Sequence, residues 1–231
     1  MNTKISGIAA SARESARRSD GKFGAQQHDR ADVDLSAADT ADLPEPVIEK
    51  GATMMGTSEL GRGSTVAKFA TVMDGARTGE RATIEGSAVL GRGTTAGDRL
   101  TLREGSTLGG GCTAGDRVIL GRNATVARRT ALGDDATILD RAYVGENCRL
   151  GDSVSVGDRA RIEERADIAD GATIGADVVM EKGVKVGKGA LIHPGVTIGQ
   201  ESTVAPRTEI PKGMTVPAGT HVDAEWLRER G

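Results

Sequence analysis

From Ile48 to Val222 a buried-type residue recurs at every sixth position without one slip of register. The run holds 30 hexads, and 27 of their key positions are Leu, Ile, Val or Met; only Thr78, Ala96 and Ala114 depart. Two residues before each key position stands a small residue, most often Ala, Ser, Thr, Val or Cys. Strand alternation turns both of these inward and the residue between them outward. Each repeat is then a unit that buries its apolar side only by stacking on the next, which predicts a solenoid. The period constrains function far less, because a repeat scaffold can carry many activities or none.

The three residues after each key position are rich in Gly, Asp and Asn, as in Gly97-Asp98-Arg99, Gly115-Asp116-Arg117 and Gly157-Asp158-Arg159. Gly, Asp and Asn tolerate the positive φ of a tight corner. Pro194, Pro206, Pro211 and Pro217 also fall at corners, where a missing N–H costs little. Volume is balanced at a spacing of 18 residues. Ala96 and Ala114 leave space, and four residues after each, Leu100 and Val118 put large groups at the small position. This predicts three strands per coil and ten coils, a rod roughly 45 Å long at the usual strand spacing. Aromatics make up only 2% of the chain, as a narrow prism filled by stacked aliphatic side chains requires.

The formal net charge is −3 with both signs interspersed, which gives no basic face for nucleic acid. No apolar run approaches the length of a membrane span, and Met1 to Ala10 lacks the apolar core of a signal peptide, so a cytoplasmic location is expected. Cys112 and Cys148 both take the small inward position, two coils apart. That spacing is about 9.6 Å, beyond the roughly 7 Å a disulfide spans, so both are expected as reduced core residues.

Three segments follow. Residues 1–45 do not share the repeat and are expected to form a flexible, disordered arm, because their few apolar groups cannot offset the entropy of ordering. A short helix over Ile5 to Arg18 is one local expectation for this arm, and a protein partner for it another. Residues 46–222 form the repeat body. Residues 223–231 are expected to make a small helical cap, with Asp223 as N-cap and Trp226 and Leu227 folded over the last coil.

This hexad resembles the left-handed parallel β-helix of the hexapeptide-repeat acyltransferase superfamily over residues 46–222. The handedness is implied by the resemblance; a right-handed triangular helix of the bactofilin kind is the architectural alternative, and general chirality rules favour a right-handed crossover. The local stretch Ile192-His193-Pro194-Gly195-Val196-Thr197-Ile198-Gly199, followed by Arg207-Thr208-Glu209-Ile210-Pro211-Lys212-Gly213, is similar to the C-terminal coils of the sugar O-acetyltransferases. The resemblance implies a homo-oligomer, commonly a trimer, with acetyl-CoA as cofactor, His193 as general base, and Arg207 and Lys212 on the cofactor phosphates. In the arm, Ser19 to His28 resembles an N-terminal segment of assorted proteins of high-GC bacteria and their phages.

The chain departs from that pattern where chemistry would sit. Those enzymes interrupt their coils with an extruded loop, whereas no hexad here is interrupted. The repeat body carries only His193 and His221, so it cannot supply the three-His zinc set of the related γ-class carbonic anhydrases; no metal site is expected. One outward column at 18-residue steps reads Thr65, Thr83, Thr101, Ile119, Thr137, Ser155 and Thr173, in part as a flat ice-binding array would, but Thr also simply favours strands. The sequence therefore reads as a non-catalytic structural or protein-binding scaffold without cofactor or catalytic residue. The alternative is an acetyl-CoA-dependent acyltransferase acting on a hydroxyl or amino group through His193, Arg207 and Lys212.

Overall fold

A computed structural model describes residues 43–230. The expected N-terminal helix, the arm's partner role and the Ser19–His28 segment lie outside the described residues. The repeat body is a single-stranded parallel β-helix with three flat faces, the architecture the hexad predicts. Two-residue strands run from Val47–Ile48 on the first face to His221–Val222 on the third. The first face stacks ten strands from Val47–Ile48 to Glu209–Ile210, and the second stacks ten from Thr53–Met54 to Thr215–Val216. The third stacks nine from Arg77–Thr78 to His221–Val222, preceded by a single bridge between Glu59 and Arg77.

Every register is a shift of 18 residues, as in Ile138 against Val156, Val156 against Ile174 and Ile174 against Ile192. Like therefore stacks on like, and the core is a set of aliphatic columns. Leu90, Leu108, Ile138, Ile162 and Ile198 are fully buried, and the small positions between them, such as Ala82, Ala136 and Ala172, are equally dry. Ala96 and Ala114 stack on one another, while Leu100 and Val118 are completely buried beside them. Several polar groups in the small columns bond across coils, although the buried Ser106 hydroxyl finds no partner among the described residues. Thr130 donates its hydroxyl to the Gly145 carbonyl at 2.8 Å and accepts the Cys148 N–H at 3.2 Å. Ser202 does the same with the Pro217 carbonyl and the Thr220 N–H. Cys112 and Cys148 are free and buried.

The corners correct one expectation. From Gly63 onward the third corner position is left-handed, but arginine is as much at home there as glycine: Arg81, Arg99, Arg117, Arg129, Arg141, Arg159, Arg165 and Arg207 all have φ between 56 and 61°. A non-glycine residue pays roughly 1–2 kcal/mol for this conformation. In return its N–H reaches a carbonyl one coil back, as Arg99 reaches Glu80 at 2.7 Å and Arg117 reaches Asp98 at 2.8 Å. At two of these corners the side chain runs along the edge to the next coil: Arg117 forks onto Asp135 at 2.6 and 2.7 Å. Arg159 meets Asp177 in the same way.

A second ladder explains the Gly-Asp pairs. At the corner between the third and first faces, Asp98, Asp116, Asp134, Asp152 and Asp170 each turn a carboxylate oxygen back onto the N–H of the corner residue one coil earlier, at 2.8 to 3.2 Å. The carboxylate crosses the space a Cβ would take at Gly79, Gly97, Gly115, Gly133 and Gly151. Where the ladder ends and Lys188 replaces the aspartate, the glycine gives way to Ala169.

The C-terminal end is partly blunted. In interior coils the N–H groups of the outward strand residue and of the residue after the key position point to the next coil, as Thr203 donates to Thr220 and Ala205 to Val222. In the last coil two of these positions are Pro211 and Pro217, which have no N–H to leave unpaired. The helix Ala224–Arg228 follows the last strand, with Trp226 and Leu227 packed against the core. Asp223 caps it, accepting the N–H groups of Glu225 at 3.0 Å and Trp226 at 2.9 Å. Those bonds, led by the one from Trp226, hold its carboxyl below the usual carboxylate value.

Candidate functional site

The edge between the first and second faces brings together two of the three residues singled out in the C-terminal coils. His193 follows the strand Leu191–Ile192 and begins a corner that continues through Pro194 and Gly195. Lys212 stands one coil higher above Pro194, where the Gly213 N–H donates to the Pro194 carbonyl at 3.1 Å. Arg207 lies on a different edge, between the third and first faces, where its N–H donates to Lys188 at 2.9 Å. Within one chain, then, His193 and Lys212 are neighbours and Arg207 is set apart by the width of a face.

His193 has a partner that its sequence surroundings do not announce. Glu209 projects outward from the strand paired above Leu191, and its Oε1 lies 2.7 Å from His193 Nε2. A carboxylate only accepts, so the ring proton sits on Nε2 and a neutral ring presents Nδ1 as the free lone pair. The residues are 16 apart in sequence and adjacent only because a coil is 18 residues long. Both side chains are well exposed, 36% and 66%, so the pair sits at an edge open to water. His221 lies 4.0 Å from the Asp223 carboxylate, which the helix cap already uses.

Two shallow troughs cross the surface. One, of about 420 Å³, lies on the third face between Ala131 and Asp170, across the strands Ala131–Leu132, Arg149–Leu150 and Asp167–Ile168. Arg149, Asp167 and Lys185 follow one another there in register on successive coils. The other, of about 290 Å³, lies along the first-to-second edge among Arg122, Asp140, Asp158 and Arg159. Its carboxylates belong to the coil-to-coil ladder, since Asp140 accepts the Arg122 N–H at 2.7 Å and Asp158 accepts that of Asp140 at 3.1 Å. Among the described residues no group of three His, Cys, Asp or Glu side chains is placed to hold a metal ion. No helix there is long and apolar enough to cross a membrane.

The nearby charges are tied into the same edges. The Arg117 fork holds the Asp135 carboxyl below its ordinary range, and the Arg159 fork does the same to Asp177. Lys182, 3.0 Å away, lowers Glu164.

A family model described as the hexapeptide repeat of succinyl-transferase matches residues 166–200, a stretch that contains His193. No curated protein matches the chain in sequence. Among solved structures, the Arabidopsis UDP-N-acetylglucosamine acyltransferase superposes with a TM-score of 0.60 at 16% identity, over 81% of this chain and 76% of that one. The Francisella novicida UDP-N-acetylglucosamine acyltransferase is 17% identical over 80% of this chain and 74% of that one, with a TM-score of 0.45. The repeat and the superposition together show the left-handed hexapeptide-repeat β-helix; at such identities the likeness extends to the fold and no further.

Proposed function

We propose that this hexapeptide-repeat β-helix is a non-catalytic scaffold, a stiff rod whose flat faces bind protein, including further copies of itself. The observation that carries the reading is the unbroken 18-residue register from Val47 to Val222. Each outward residue belongs either to a flat strand face or to a corner whose polar groups bond the next coil. The Asp ladder and the Arg forks spend on stacking the charged groups that a reactive site would turn toward a substrate. An N-terminal arm that tethers a protein partner, and the trimeric state implied by the family resemblance, are the finer parts of this reading.

A second reading is favoured by one specific contact, the His193–Glu209 pair at 2.7 Å. A histidine oriented by a carboxylate is the arrangement a general base needs. With acetyl-CoA bound, His193 Nδ1 would take a proton from an acceptor hydroxyl or amine, and Lys212 would meet a cofactor phosphate. Arg207 would serve only from a neighbouring copy, because of its different edge. The deciding experiment is release of free CoA thiol from acetyl-CoA by the full-length chain, in the presence of a panel of sugar and amine acceptors. The scaffold reading expects the rate of the buffer alone. Turnover that disappears in His193→Ala and falls in Glu209→Gln would establish the enzyme instead.

A further inference from the structure

The two ends of the rod differ. At the C-terminal end the last residue of each inward column is dry, with Ile210, Val216 and Val222 at most 1% exposed. At the N-terminal end the same position on the first face, Ile48, is 48% exposed, and Met54 and Leu60 are only partly buried. Four of the five exposed large apolar side chains among the described residues gather in the first two coils, at Val47, Ile48, Met55 and Phe69. Counting back in sixes from Ile48 meets Asp42, Ser36 and Arg30, so the hexad stops there.

The backbone at this end is an unfinished sheet edge. Val47–Ile48 and Thr53–Met54 are the outermost strands of the first and second faces. One coil higher, the Ser64 and Val66 carbonyls accept from Val47 and Glu49 at 2.8 and 2.9 Å, and those of Ala70 and Val72 accept from Thr53 and Met55 at 2.9 Å. In the first coil the same carbonyls belong to Pro46, Ile48, Ala52 and Met54, and among the described residues no backbone N–H reaches them. Two acceptors at a two-residue spacing, repeated under two successive faces and each pair beside an open aliphatic column, are what a further parallel strand binds. We infer that this end binds an extended segment of another protein, laid parallel to Val47–Ile48 and Thr53–Met54 and turning the corner between them. The segment that fits repeats this chain's own pattern, a small residue and then an aliphatic one two places later, so that its aliphatic side chains continue the columns of Ile48 and Met54. The N–H groups just before and just after each aliphatic residue then meet the four carbonyls.

A second copy does not fit this end. The coil climbs one strand spacing per turn, so two such ends close strand on strand only about a two-fold axis normal to the second face. That axis passes through the corner between the third and first faces, where the chain enters the rod. It puts Pro44 and Glu45 onto their own copies, although the Pro44 carbonyl already holds the Gly63 N–H at 2.7 Å and Glu45 holds Arg62 at 2.8 Å. It also sets Glu49 opposite Glu59 of the other copy, a like-charge pair. The C-terminal end of a second copy offers Pro211, Pro217 and the helix Ala224–Arg228 in place of a free edge. Strand addition leaves all three faces free and is compatible with the trimer. It gives the scaffold reading a docking end and rests on that reading.

The test is fluorescence polarisation of a labelled peptide copied from Ala190 to Gly199 of this chain, titrated with the full-length protein. The peptide carries Ile192 and Ile198 at the spacing of Ile48 and Met54. Saturable binding is expected. Methylating the peptide nitrogens of Leu191 and Thr197 removes two donors and should weaken it about fivefold or more. Ile48→Lys in the protein should weaken it by a similar factor and leave the melting temperature unchanged, because that side chain is half exposed. No saturation below millimolar protein, or binding indifferent to either the methylation or Ile48→Lys, would overturn the inference. Self-association of the full-length chain that Ile48→Lys abolishes in sedimentation equilibrium would assign the end to a second copy and overturn it equally. None of these outcomes involves acetyl-CoA, so failure here is distinct from failure of the scaffold reading, which the release of CoA thiol decides.

Discussion

Ile174→Ala probes the inward register at a single side chain. Ile174 is 1% exposed and sits in a column between Val156 below and Ile192 above. Truncation removes three carbons, worth about 2.4 kcal/mol at roughly 0.8 kcal/mol for each buried methylene. The columns are pinned from both sides by backbone ladders, so the neighbours cannot collapse into the gap. A cavity term then raises the loss to about 4 kcal/mol, within the 2–5 kcal/mol typical of such changes. Ile174→Asp is worse, because it buries an unpaired carboxylate between stacked coils. Thr173, one residue earlier, points to solvent, and Thr173→Ala or Thr173→Asp should stay within about 0.5 kcal/mol. Urea unfolding followed by far-UV circular dichroism measures both series. Similar losses at 173 and 174, or a cost below about 1 kcal/mol for Ile174→Ala, would refute the alternation on which every face assignment depends.

Three further outcomes follow from the edges and the core. Gly115→Ala places a Cβ where the Asp134 carboxylate crosses, with the Asp134 backbone nitrogen 2.8 Å away, and should cost about 1–3 kcal/mol; the double variant with Asp134→Ala should cost less than the sum of the two in urea melts. Burial pushes the Cys148 thiol from its ordinary 9.0 up to about 11. The folded chain therefore holds this proton longer than the unfolded one, and stability should fall as pH rises above about 9; at pH 8 iodoacetamide should label Cys148 only after denaturation. Asp135 and Asp177 have folded values below 3.8, so their contribution is complete above that value and is lost as pH falls through the lower folded ones. In thermal melts below about pH 4, Arg117→Gln should lose part of this acid dependence.

Much of the architecture is legible in the chain because the hexad is a direct image of the packing. Key position, small position and the 18-residue volume exchange of Ala96 and Ala114 with Leu100 and Val118 all report the same coil. Other features need coordinates. Propensity assigns positive φ to Gly, Asn and Asp, yet arginine occupies eight of these corners, because cross-coil bonds offset a local strain that no local rule contains. The Gly-Asp pairs are visible in sequence as corners, but not as a ladder in which each carboxylate binds the preceding coil. Glu209 is hidden as the partner of His193, since a separation of 16 residues carries no signal until the coil closes. Handedness is silent in any periodicity, and it enters through superposition on a known fold.

The claim that the rod acts by binding protein and not by acyl transfer is tested most directly by isothermal titration of acetyl-CoA into the full-length chain. The account predicts no saturable heat up to millimolar cofactor. A saturable isotherm that weakens in Lys212→Ala, with His193 and Glu209 intact, would contradict it and assign the edge at His193 to a cofactor site.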